Sequence, residues 1–187
     1  MKFLEEKNVG YKTNAGVVPI VPAAVIFDLP FIGTSKARPT ADCGYKAAAT
    51  ASSGPVAEGN VGAGAGATIG KIGGGRTAMK AGIGSAAIAL PNGLVVGALV
   101  AVNAVGDVID PANGAVVAGA REANGKLADA RTVLRAGAPT TAPRPGENTT
   151  IGVVATNAKL TKAQAARMAL MADDGLARAL FPSHTLG

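Results

Sequence analysis

Two positions in the 187-residue sequence have the side-chain chemistry of a hydrolytic centre, and each has a plainer reading beside it. Thr149 stands where a Pro-rich segment runs into an apolar one, in Glu147-Asn148-Thr149-Thr150-Ile151. A chain cut before Thr149 would give that residue a free α-amine beside its own hydroxyl. An α-amine titrates at about 7.7–8.0, so it can take the hydroxyl proton and make Thr149 a nucleophile. Thr149 could make the cut itself, attacking the preceding carbonyl to form an ester that water opens. A simple loop-to-strand junction would use the same residues. Lys71 is the only charge between Glu58 and Arg76. In such a low-polarity stretch a lysine loses part of its affinity for the proton and becomes available for catalysis. A lysine that snorkels to the surface fits the same spacing.

Other reactive types are scarce. Cys43 is the single cysteine, so neither an intramolecular disulfide nor a cysteine-based metal site follows. As a nucleophile it would need His184, the only histidine; a small buried or half-buried thiol is the expectation. The run Gly62-Ala63-Gly64-Ala65-Gly66-Ala67 formally fits a dinucleotide fingerprint at Gly62, Gly64 and Ala67, but an Ala-rich helical segment precedes it rather than a strand. Gly70-Lys71 is followed by Ile72, not the Ser or Thr of a phosphate loop. The run reads instead as backbone packed too closely for larger side chains.

The elements that must hold these residues can be read from pattern. Residues 81–106 carry no charge, which would suit a membrane span by length, yet Pro91-Asn92-Gly93 is turn chemistry and five glycines lie in the stretch. It predicts a strand over 85–90, a turn, and a strand over 94–102, both apolar enough to be buried on two faces. Thr161-Lys162-Ala163-Gln164 is a capping box opening a helix that runs to about Leu180, ahead of Pro182. Helices are also expected over 42–52 and, exposed, over 121–135. Short strands are expected over 115–118 and 150–156, and an extended segment over 17–29, broken by Pro19 and Pro22. Residues 136–147 form a Pro-rich loop. Mixed strands and helices give the α/β or α+β class, of which α/β is the expectation.

Composition narrows the function. Forty Ala and 26 Gly imply a core of small side chains in closely spaced layers. The net charge of +6 is spread over scattered Lys and Arg with no aromatic interleaving, so neither nucleic acid nor a membrane is an expected partner. The amino terminus is charged on both sides of one apolar pair, which is no secretory leader, and a cytoplasmic location is expected.

Several stretches, in order along almost the whole chain, resemble the self-processing amidohydrolases that include the DmpA-type L-aminopeptidase/D-esterase, the β-peptidyl aminopeptidases and the nylon-oligomer hydrolase. They are 18–29 (VPIVPAAVIFDL), 62–71 (GAGAGATIGK), 97–107 (GALVAVNAVGD), 148–157 (NTTIGVVATN) and the tail through His184-Thr185. The resemblance implies an αββα sandwich in a single domain, 1–187, cut between Asn148 and Thr149. The cut leaves an α-chain-like part, 1–148, and a β-chain-like part, 149–187, with 136–147 as the processing loop. It implies Thr149 as nucleophile, Lys71 as the group that helps activate it and Asn103 as the amide that supports the oxyanion. The implied substrates are small peptides, amides or esters that lose their N-terminal residue, without metal or cofactor, in a homo-oligomer. Phe27 replaces a family Tyr, and the family's Asp-Gly-Asp-type stretch after His184-Thr185 and its Gly-rich leading portion lie beyond this sequence. A catalytically inactive remnant, serving only association, is the alternative expectation.

Overall fold

A computed structural model of the chain describes residues 1–29, 36–137 and 146–185. Along the chain, helix α1 (Lys2–Glu6) precedes a hairpin of β1 (Tyr11–Thr13) and β2 (Gly16–Val18), and helix α2 spans Ala41–Ala49. The Gly-Ala run holds one 3₁₀ turn, Gly62–Gly64, and leads into β3 (Thr68–Ile69), which pairs with β4 (Met79–Lys80). Strands β5 (Ile83–Ala89) and β6 (Val95–Ala101) form the hairpin that Pro91-Asn92-Gly93 predicts. Gly93 takes φ +82° and donates its N–H to Leu90 O at 2.9 Å, a conformation open to glycine. Strand β9 (Ile151–Thr156) joins the other edge of β6, from Ala101↔Ile151 to Val96↔Thr156. A second three-stranded sheet orders β10 (Leu180–Phe181), β7 (Asp107–Ile109) and β8 (Val116–Ala118). Helix α3 covers Ala130–Arg135 and α4 covers Lys162–Ala179.

The capping box is present in full: Thr161 Oγ1 accepts from Gln164 N, and Gln164 Oε1 accepts from Thr161 N at 2.9 Å. Three expectations need correction. Residues 121–135 are not one exposed helix. Asn124-Gly125 turns the chain so that Arg121 bridges Leu127, and only Asp129, accepting from Arg131 N, starts α3; Ala130 and Val133 on it are buried. Strands β5 and β6 are not covered on two faces. Their sheet has three strands and little among the described residues packs on it, leaving Ile88 67% exposed and only Ala101 of the pair buried. Cys43 is exposed on α2 rather than buried, and a hydrogen bond from Thr40 lowers its thiol pKa. The Pro-rich segment 136–147 falls largely outside the described residues.

The core is assembled from small pieces: Ile72, Val105, Ala120, Ala130 and Val133, with Ala128 against them. One carboxylate is sealed beside it. Asp107, at the start of β7, is 1% exposed and accepts Ala120 N at 2.8 Å and Ala130 N at 2.6 Å through its two oxygens. It thus ties the end of β8 and the first turn of α3 to β7. A buried carboxylate is tolerated because backbone donors saturate it. Asp107→Asn would turn one of those acceptors into an amide NH₂ facing a backbone N–H. The variant should lose about 3 kcal/mol in urea unfolding, while Asp110→Asn, on an exposed turn, should lose well under about 1 kcal/mol.

Candidate active site

The backbone first brings two distant loops together. Ala104 N donates to Thr68 O at 3.0 Å, Lys71 N to Val105 O at 2.8 Å and Gly70 N to Gly106 O at 3.0 Å. Residues 103–106, leaving β6, therefore run along 68–71, leaving β3. A third segment is pressed against the same loop at Gly70, which sits at φ +69° and where a Cβ would overlap the backbone of Gly119 and Ala120. Gly66 has the same constraint against the side chain of Asp28.

This pairing puts Asn103 over Lys71. Asn103 is fully buried. Its Oδ1 accepts from Lys71 Nζ at 2.6 Å, from Thr68 N at 3.1 Å and, at 3.5 Å, from Thr68 Oγ1. Two of those donors cannot accept, which fixes the amide's orientation. Its Nδ2 then faces the junction and donates to Glu147 O at 3.2 Å, and its backbone N–H donates to Thr150 Oγ1, also at 3.2 Å. The amide therefore links the Lys71 ammonium to the carbonyl immediately before Asn148. Lys71 is half-buried, and that desolvation lowers its pKa to about 8, against a smaller upward pull from the Glu147 charge. At mildly alkaline pH it is divided between ammonium and free amine, so it can carry a proton in either direction.

Thr149 is half-buried, just ahead of β9. Its hydroxyl makes no hydrogen bond to Lys71 or Asn103 among the described residues. The structure thus joins Lys71 and Asn103 directly and sets the Asn148-Thr149 bond next to them. Beside the junction lies a cavity of about 180 Å³, lined by residues that include Asn103, Asn148, Thr150, Asp173, Leu176 and His184. His184 Nε2 lies 3.9 Å from Asp173 Oδ2. A roomier apolar groove, about 580 Å³, runs along the β5–β6–β9 sheet between Ala24, Ile83, Leu99 and Val153, with no ionisable side chain in its wall. The smaller cavity is the one beside the Asn148-Thr149 bond. Sequence reasoning did not find Thr68, whose position three before Lys71 was its only signal, nor Asp173, which no motif marks.

Residues 1–187 match peptidase family S58 throughout. The chain belongs to this family. Among its relatives, an uncharacterized aminopeptidase of Mycobacterium bovis and one of Mycobacterium tuberculosis are each 45% identical over 190 residues, which is 99% of this chain and 53% of theirs. An uncharacterized aminopeptidase of Mycobacterium leprae is 44% identical over 193 residues, 99% of this chain and 51% of its own. The chain spans about half the length of these relatives. Within the family S58 chain no described helix is long and apolar enough to cross a membrane.

NMR titration of the Lys71 side chain should give a midpoint near 8. Asn103→Asp places a carboxylate against the ammonium and should raise that midpoint. A midpoint unmoved by Asn103→Asp would mean that Lys71 and Asn103 are not in contact.

Proposed function

We propose that this chain is the processing and catalytic part of an aminopeptidase that cuts itself before Thr149 and then uses Thr149 as its N-terminal nucleophile. The observation that carries the reading is Asn103, whose buried amide joins the Lys71 ammonium to the carbonyl beside the junction. Before the cut, Thr149 has no free amine and needs another base. Lys71, with its lowered pKa, is the group suited to that task. Thr149 Oγ attacks the Asn148 carbonyl carbon, and its proton passes to the Lys71 amine. The C–N bond breaks, and the departing nitrogen takes a proton to become the α-amine. The ester between Asn148 and Thr149 Oγ is then opened by water, giving 1–148 and 149–187. In turnover the acyl group of an N-terminal residue follows the same path, with the Thr149 amine as proton acceptor and the Asn103 amide donating to the oxyanion.

The relatives' designation as aminopeptidases supports a peptide, amide or ester with a free N-terminus as substrate. The family's αββα sandwich and its assembly from several copies belong to the same proposal. They are supported by the exposed apolar residues of the central sheet, among them Ile88, Leu99 and Val153, which a further layer would cover.

Incubated protein should resolve by mass into two fragments, the smaller beginning at Thr149. Thr149→Ala should remain whole. An undivided wild-type mass, or a division that persists in Thr149→Ala, would sink the proposal. Because Lys71 acts as the free amine, self-cleavage should speed up about tenfold per pH unit below 8 and level off above it. Lys71→Arg, which stays protonated, should slow cleavage by about 100-fold or more at pH 8.

A further inference from the structure

The β6–β9 ladder stops one hydrogen-bonded pair short of where its register leads. Ala101 pairs with Ile151, so the next pair of the same kind is Asn103 with Thr149. The N–H groups of β6 alternate between its two neighbours. Val102 N donates to Gly82 O, on the β5 side, and Asn103 N points to the β9 side. A continued ladder would give that N–H to the Thr149 carbonyl, and the Thr149 N–H to the Asn103 carbonyl. Asn103 N donates instead to Thr150 Oγ1, at 3.2 Å. Neither the backbone nitrogen nor the carbonyl oxygen of Thr149 has a hydrogen-bond partner among the described residues.

The far end of the ladder is closed in the same way. Beyond Val96↔Thr156 the register would give Val95 N to the carbonyl of Asn157, and it takes Asn157 Oδ1 at 2.9 Å. Short polar side chains end secondary structure by offering the backbone another partner. At the junction this has a chemical consequence. Asn103 grips Glu147 O through Nδ2 and Thr150 Oγ1 through its backbone N–H. The Asn148-Thr149 peptide lies between those two holds and is itself unbonded to the sheet. Attack by Thr149 Oγ on the Asn148 carbonyl carbon needs that freedom. The peptide is flat because its nitrogen lone pair is delocalised into the carbonyl. As the O–C bond forms, the nitrogen becomes pyramidal and its N–H swings out of the plane. A ladder bond from that N–H to Asn103 would oppose the swing.

We infer that Thr150 is a positioning residue for self-cleavage: its hydroxyl takes the Asn103 N–H that the Thr149 carbonyl would otherwise receive, and so keeps the scissile peptide out of the sheet. This rests on the Thr149 reading above. Asn103 is fully buried, so its N–H must have an acceptor. With the hydroxyl removed, the acceptor that the register supplies is the Thr149 carbonyl. After the cut, the same arrangement leaves the new α-amine of Thr149 unbonded to β6 and available to its own hydroxyl.

Amide hydrogen exchange on the uncut Thr149→Ala chain reads the arrangement directly. The amide at position 149 should exchange at close to the open-chain rate, while the Val153 amide in mid-ladder is protected. Adding Thr150→Val should slow exchange at position 149 by about tenfold or more. In the otherwise wild-type chain, Thr150→Val should slow self-cleavage by about tenfold to 100-fold, and Thr150→Ser, which keeps the hydroxyl, should stay within about threefold of wild type. An amide at position 149 as protected as that of Val153 would overturn the inference and leave the Thr149 reading standing. So would cleavage of Thr150→Val at the wild-type rate, or a Thr150→Ser chain as slow as Thr150→Val. A wild-type chain that never divides removes the Thr149 reading and this one with it.

Discussion

The rest of the centre depends on one buried amide that cannot be left unpaired. Asn103 has no exposure to water, so each of its polar atoms must find a partner within the protein. Its partners come from three separate places: Thr68 in β3 with Lys71 just after it, Glu147 before the junction, and Thr150 just ahead of β9. Satisfying it therefore fixes three segments at once. Moving any of them by an ångström would strand a donor or acceptor in the interior, at a cost of about 1–3 kcal/mol each. Positional precision at the Asn148-Thr149 bond is thus a consequence of polar satisfaction, and needs no large core to enforce it.

Small residues make that arrangement possible. Loops 68–71 and 103–106 touch through their backbones, with Gly70 pressed against Gly119 and Ala120 and Gly66 against Asp28. The core behind them is equally fine-grained: Ala120 and Ala130 are fully covered and flank the sealed carboxylate of Asp107. The high Ala and Gly content concentrates its effect here. Elsewhere, as on β5, the same small residues leave faces open. The sheet that holds β9 shows apolar surface, with Ile88, Leu99 and Val153 exposed.

What could be read from sequence was local. Pro91-Asn92-Gly93 set the hairpin because its backbone demands are specific to those residues, and Thr161 with Gln164 set the start of α4 because both halves of the cap lie within four positions. Lys71 stood out because its neighbours carry no charge. Asn103 was reached only through family resemblance, since its meaning lies in contacts 32, 35, 44 and 47 residues away. Residues 121–135 misled because their composition suits a helix, while a turn at Asn124-Gly125 and the backbone hold of Asp107 on Ala130 dictate otherwise. Cys43 misled for the opposite reason: a small thiol has no intrinsic need to be buried, and α2 has no buried residue at all. Asp173 was illegible because it gains significance only from the cavity that another part of the chain closes.

The geometry also orders the proposed reactions in time. In the uncut chain the Asn103 Nδ2 donor is occupied by the Glu147 carbonyl. An amide has two N–H bonds, so one can stay on Glu147 while the other serves the charge forming on the adjacent Asn148 carbonyl. After the cut, Glu147 and Asn148 become a chain end, free to withdraw. Their departure removes the negative charge that holds the Lys71 pKa up. It also frees the whole Asn103 amide for an incoming carbonyl. On the proposed reading, a site that performs the first reaction once thus becomes better suited to the second, with Lys71 more often the free amine at a given pH and an unoccupied oxyanion donor. Neither change requires a movement of the elements that carry Lys71 and Asn103, because both are fixed by backbone pairing that the cut leaves intact.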